Sequence, residues 1–145
     1  PASNGNGREW PIENFIALIK QHDPEKYHFI LTGSKSEKSI TDLIEKACPQ
    51  VSNLAGSLSL FDFIALITKV DTLIASGTGP LHIAAALGTK TIGLFPPIPA
   101  LDSARWGPLF EHANNLELKL KCEKSCENTT CDCMKKLKIK LTHYL

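Results

Sequence analysis

The residues best placed to do chemistry are concentrated in one segment, Ser76-Gly77-Thr78-Gly79-Pro80-Leu81-His82. It lies between a strand-like run over residues 72–75 and an alanine-rich stretch over residues 79–87 that reads as a helix. Gly77 and Gly79 let the backbone turn sharply and come close to a ligand, Thr78 adds a hydroxyl, and Pro80 presets the first helical turn without wasting a donor. The open amides and positive dipole end of such a helix suit an anion, most simply a phosphate or diphosphate. The segment is neither a Walker A loop, which ends in Gly-Lys-Ser/Thr, nor a good G-x-G-x-x-G fingerprint. A plainer reading stands beside this one: Gly-Thr-Gly also makes a tight strand-to-helix connection, and a histidine at position 82 is often a hydrogen-bonded core residue.

A second group is Cys122, Cys126, Cys131 and Cys133, spaced C-x3-C-x4-C-x-C, with Cys48 apart as a core candidate. Four close cysteines permit zinc, but the final x1 spacing is poor for a tetrahedral finger and the paired C-x2-C knuckles are absent. A reduced or partly disulfide-bonded loop is favoured over a metal site.

The elements that would position these groups follow from periodicity. Ile12, Phe15, Ile16 and Ile19 recur at helical spacing behind Pro11, which suits a first helical position. Residues 28–31 form a short apolar run ending in Thr32-Gly33, read as a buried strand. A second helix carries Ile40, Leu43, Ile44 and Ala47 on one face and stops at Pro49. Residues 51–54 are a strand candidate, and Leu60, Phe63, Ile64 and Ile67 stripe a third helix, with Asp71 marking its end. After the 79–87 helix, Gly88 is a C-cap candidate and residues 91–95 the next strand. Strand and helix alternate, so the fold class is α/β with a mainly parallel sheet. In such sheets ligands bind beyond the carboxyl ends of the strands, here Thr32-Gly33, Ala55-Gly56, Ser76-Gly77 and Phe95-Pro96.

At 145 residues, 43% hydrophobic and 21% charged, the chain has room for one domain with a real core and none for a second. A formal charge of +1 gives no field to argue for nucleic acid, despite lysines across residues 119–140. No apolar run approaches the roughly 20 residues that span a bilayer. The expected setting is therefore cytoplasmic, with contact at the inner face of a membrane as a minor role for residues 135–140. Opening at Pro1 with no secretory leader reads as a fragment.

Several motifs in order carry a resemblance. Residues 71–97, DTLIASGTGPLHIAAALGTKTIGLFPP, resemble the core motif of the heptosyltransferase group of glycosyltransferases, family 9, usually Asp-Thr-Gly, two residues, then His and an alanine-rich helix. Matches also occur as RxWPxxxF-like spacing from Arg8 to Phe15, LTGSKSE from Leu31 to Glu37, NLAGSLSLFDFIALI from Asn53 to Ile67, and ARWGP from Ala104 to Pro108. The resemblance covers most of the chain. It implies a Rossmann-like, three-layer α/β/α domain, the C-terminal donor-binding half of a GT-B fold. The N-terminal acceptor domain and this domain's own first strand would lie outside the sequence, and the loss of a central strand would expose sheet edges and favour self-association.

By the same resemblance Arg8 stands where the family places a basic residue near the donor phosphates, Glu37 where an acid holds the ribose hydroxyls, and Thr78, Gly79 and His82 where the motif faces diphosphate and sugar. Gly77 departs from the pattern, for the family carries there an aspartate that contacts the donor sugar. The implied function is binding of an ADP-sugar, with heptose as the sugar, for transfer to the lipopolysaccharide core. No resident cofactor and no catalytic residue is expected in the chain, because the base belongs to the N-terminal half. Two other functions compete: a noncatalytic nucleotide- or phosphate-binding module that lost the chemistry, and a small interaction protein stabilised by zinc at the cysteines.

Overall fold

The computed structural model describes residues 8–117, 131–139 and 141. The chain begins with α1 (Ile12–Lys20), which starts one residue later than its sequence suggests: Pro11 is the N-cap, with φ −60° and ψ 146°. Proline's fixed φ serves the cap as well as the first turn, so the shift costs nothing. β1 (Ile30–Leu31) and β2 (Ser52–Asn53) pair in parallel, shorter than the apolar runs that announce them. The backbone ladder nonetheless continues past both, with Ser52 N–H donating to Phe29 O at 2.9 Å and Gly56 N–H to Gly33 O at 2.8 Å.

Between these strands α2 (Lys38–Ala47) follows a 3₁₀ turn at Lys35–Glu37 and buries Thr41 and Ile44. Leu43, expected on the buried face, is exposed, because the helix rests on its Thr41–Ile44 side. α3 (Leu60–Ile67) opens with a capping box in which Ser59 and Asp62 serve each other's backbone. Only its C-terminal end is buried: Ile67 is 1% exposed, but Leu60 is 62% exposed and Phe63 and Ile64 are half-buried. The helix leaves the core as it runs toward its N-terminus.

β3 (Thr72–Ser76), α4 (Gly79–Ala86) and β4 (Lys90–Phe95) form the central parallel unit. α4 ends as expected at Gly88, whose φ of +80° is a conformation only glycine adopts readily. Gly88 N–H donates to Ala85 O and Thr89 N–H to Ala84 O, a Schellman ending, while Thr89 Oγ1 donates to Ile67 O at 2.9 Å and ties α3 to it. α5 (Ser103–Trp106) leads to β5 (Ala113–Glu117), which joins β4 in parallel, and α6 (Asp132–Lys136) follows the undescribed stretch.

The pairings among β1 to β5 are parallel, and the α/β class holds. Instead of one sheet, however, the strands divide into β1-β2 and β3-β4-β5. A groove of about 1480 Å³ is lined by residues of both β1 and β3. One core cluster joins Trp10, Leu18, Ile92 and Leu94 to Met134, Leu137, Ile139 and Leu141. A second holds Ile19, Leu31, Ile44, Cys48 and Val51, and Phe15 and Phe29 pack against both. Beyond α6, Leu137 and Ile139 are buried and Lys138 is exposed, the period of an extended segment lying on the core. Lys135 and Lys136 are exposed on α6, as a solvated lysine face requires.

Candidate functional site

The turn from β3 into α4 is built for close approach. Thr78 is the N-cap of α4, with φ −132° and ψ 171°. Its hydroxyl makes no capping bond to the helix; it donates instead to Ser76 O at 3.1 Å, next to its own N–H on the same carbonyl at 2.6 Å. The helix end therefore lacks a side-chain cap, and Pro80 in the first turn presents no donor. What remains at this end is backbone amide and the positive end of the dipole.

Gly77 and Gly79 have opposite surroundings. A Cβ on Gly77 would overlap the ring of Phe95, whereas a Cβ on Gly79 would meet nothing within 4 Å. Phe95 is 1% exposed and its ring also bars a side chain at Gly93. Phe95 is thus a residue that sequence reasoning missed: the end of β4 supplies the plate against which the Gly77 turn lies. An aspartate at position 77 has no room without displacing that ring.

Five of the six candidate residues line two adjoining hollows. Arg8, half-buried, shares a hollow of about 390 Å³ with Ser76, Gly77, Phe95, Pro96 and Trp106. Trp106 is fixed there by a bond from its indole N–H to Ala100 O at 2.9 Å. Glu37, Thr78 and Gly79 line the larger groove, which also borders Ser76 and Gly77. The Glu37 carboxylate accepts both the N–H and the hydroxyl of Ser34, at 2.7 and 2.8 Å. It is held in place beyond the C-terminal end of β1. His82 stands apart: it is exposed on α4, away from both hollows, and is no core histidine.

Cys131 is buried in the core beside Met134, and Cys133 packs against the same cluster. Cys122 and Cys126 lie outside the described residues. Among the described residues no three His, Cys, Asp or Glu side chains converge as metal ligands, and no helix is long and apolar enough to cross a membrane.

Comparison with known proteins places this architecture. The chain is 34% identical over 98 residues to the lipopolysaccharide core heptosyltransferase OpsX of Haemophilus influenzae, covering 66% of this chain and 28% of that one. It is 24% identical over 145 residues to lipooligosaccharide heptosyltransferase 2 of Campylobacter jejuni, covering 94% and 45%. The chain therefore spans less than half the length of these relatives. Among solved structures, the E. coli ADP-heptose heptosyltransferase II superposes with a TM-score of 0.78 at 24% identity, over 95% of this chain and 40% of that one. E. coli heptosyltransferase WaaC with ADP gives 0.71 at 20% identity, over 80% and 35%. These two share the fold. The sequence pattern of glycosyltransferase family 9 (heptosyltransferase) matches residues 1–136, and the chain belongs to that family.

Proposed function

We propose that this chain is the donor-binding domain of a glycosyltransferase that takes an ADP-sugar, with heptose as the sugar, for transfer to the lipopolysaccharide core. One observation carries the reading. Arg8, far from the motif in sequence, lies in one hollow with Gly77 at the carboxyl ends of β3 and β4, where an open α/β sheet binds its ligand. A guanidinium beside an uncapped helix N-terminus is a site for a diphosphate. Glu37, across the mouth of the larger groove, is disposed to accept ribose hydroxyls, and Thr78 and Gly79 to meet phosphate oxygens. His82, exposed one turn along α4, would meet only the outer part of a donor.

The acceptor, and the base that takes its proton, belong in this reading to a facing domain outside the sequence. Titration calorimetry with ADP tests it: the chain binds ADP, and Arg8→Ala weakens binding by about tenfold to a hundredfold, as loss of a charge-assisted hydrogen bond of roughly 1.5–3 kcal/mol requires. No binding of ADP at millimolar concentration, or an unaffected Arg8→Ala variant, would sink it.

A second reading rests on the contact between Gly77 and Phe95, which removes the place of a sugar-holding carboxylate. In it the chain is a noncatalytic nucleotide- or phosphate-binding module. ADP-heptose binding no tighter than ADP favours this module; a gain from the sugar favours the transferase.

A further inference from the structure

The Ser76-Gly77 turn borders both hollows. In the proposed function, on which this inference rests, Arg8 and the turn hold the diphosphate, and Glu37 takes the ribose in the larger groove. A diphosphate joins two groups, so the sugar on its other side is left with the smaller hollow. At about 390 Å³ that hollow is of a size that takes a small ligand.

The lining narrows what can hold a sugar there. Among the described residues Arg8 is its one charged group and the buried Ser76 its one hydroxyl. Leu94, Phe95 and Pro96 form a buried floor, and the broad surface left open is the indole of Trp106, 48% exposed. So large an apolar side chain is seldom left so open without a purpose.

Trp106 is no loose surface ring. Its indole N–H donates to Ala100 O at 2.9 Å, and the Arg105 guanidinium carbon lies 5.9 Å from its ring centroid. α5, which it ends, is anchored on β5. The N–H and hydroxyl of Ser103 donate to one Glu117 carboxylate oxygen at 3.0 and 2.8 Å. Gly107, the next residue, lies so close to Asn115 and Ser103 O that a Cβ would overlap both. A ring already held in this way loses little freedom when a ligand settles on it.

A pyranose presents C–H bonds on one face and hydroxyls around its rim. Those hydrogens carry partial positive charge and meet the electron-rich face of an indole, while the carbons behind them leave water. Such a contact needs no carboxylate, the group for which Phe95 leaves no room at position 77. We infer that Trp106 is the sugar platform of the donor site, its ring stacking on the C–H face of the pyranose while Arg8 and the Gly77 turn hold the diphosphate.

The test titrates ADP and ADP-heptose by calorimetry into the chain and its Trp106→Ala and Trp106→Phe variants. The unaltered chain binds ADP-heptose more tightly than ADP. Trp106→Ala weakens ADP-heptose by about twofold to tenfold, the worth of an aromatic contact, and leaves ADP unchanged; Trp106→Phe keeps part of the gain. Tryptophan emission gives a second readout, because the chain has two tryptophans and Trp10 is 2% exposed. ADP-heptose changes the emission of the unaltered chain more than ADP does, and Trp106→Phe removes the difference. ADP bound with no gain from the sugar overturns the platform and leaves the nucleotide site standing. Equal losses of ADP and ADP-heptose in both variants, or emission that does not distinguish the two ligands, also overturn it. Failure of the unaltered chain to bind ADP rejects the donor-domain reading itself, and the platform falls with it.

Discussion

Gly77 and Gly79 are the same residue two positions apart, and the structure needs them for different reasons. Gly77 is required by the fold, since any side chain there meets the ring of the buried Phe95. Gly79 meets nothing, and in the proposed function the open space there belongs to the ligand. Gly77→Ala should therefore destabilise the protein by about 1–3 kcal/mol, the usual cost of overpacking, and Phe95→Leu should restore part of the loss. Gly79→Ala should leave stability unchanged or raise it by up to ~1 kcal/mol, while weakening ADP. Thermal melts beside calorimetry check both; a well-tolerated Gly77→Ala, or a Gly79→Ala that binds ADP normally, counts against this assignment. Spacing alone showed a turn that favours close approach. It could not say which glycine is hemmed in and which stands open, because that depends on where the Phe95 side chain lies after β3 and β4 pair.

At the scale of elements, the motif around Trp10 proves to be a clasp. Asn14 Nδ2 lies 3.0–3.3 Å from the carbonyl oxygens of Met134, Lys135 and Leu137, and Trp10 Nε1 donates to Leu137 O at 2.8 Å. Lys138 Nζ donates to Asn14 Oδ1, and the Trp10 and Phe15 rings meet edge to face at 4.7 Å. The carbonyls at the end of α6 thus find their donors on Asn14 of α1 and on Trp10 just before it, two residues from Arg8. Asn14→Ala should cost about 1–3 kcal/mol, the penalty for unmatched buried carbonyls, and speed exchange over residues 134–137; a local effect confined to α1 would contradict the clasp. The α3 capping box makes a separate prediction. The hydroxyl of Ser59, and after it the Ser59 N–H, hold the exposed Asp62 carboxyl below its ordinary value. A folded value below the unfolded one means the contribution is present above the unfolded value and is lost as pH falls through the folded one. Ser59→Ala should raise the Asp62 midpoint, seen by NMR titration; an unmoved midpoint rejects the box as its cause. Periodicity found α1 through α4 and β1 through β4 because apolar spacing marks them. β5 escaped because Ala-Asn-Asn-Leu-Glu shows no alternation; its place is set by pairing with β4. The division into two sheets escaped because pairing is not written in any one segment.

At the scale of the molecule, the groups that line the hollows bear on the proposed division of labour between this chain and a facing domain. Among the described residues the smaller hollow holds Arg8 and no carboxylate, and the larger one has two acids, Glu37 and Asp71. Glu37 is engaged with Ser34. Asp71 precedes β3 at the end opposite the Gly77 turn, and a strand of that length at about 3.3 Å per residue puts it on the order of 16 Å or more away. A base must come within about 3 Å of the proton it takes, so Asp71 is too far to activate an acceptor hydroxyl beside a donor held at Arg8 and Gly77. The groups that face the hollow are of the kind that stabilise a departing diphosphate, a cation and backbone amides. This chain alone should therefore bind ADP yet release none from ADP-heptose in the presence of a lipopolysaccharide-core acceptor, above the buffer blank. Mass spectrometry of the mixture checks the point. Turnover by this chain alone would require a base within its own residues and would end the reading of it as a donor domain that depends on a facing partner.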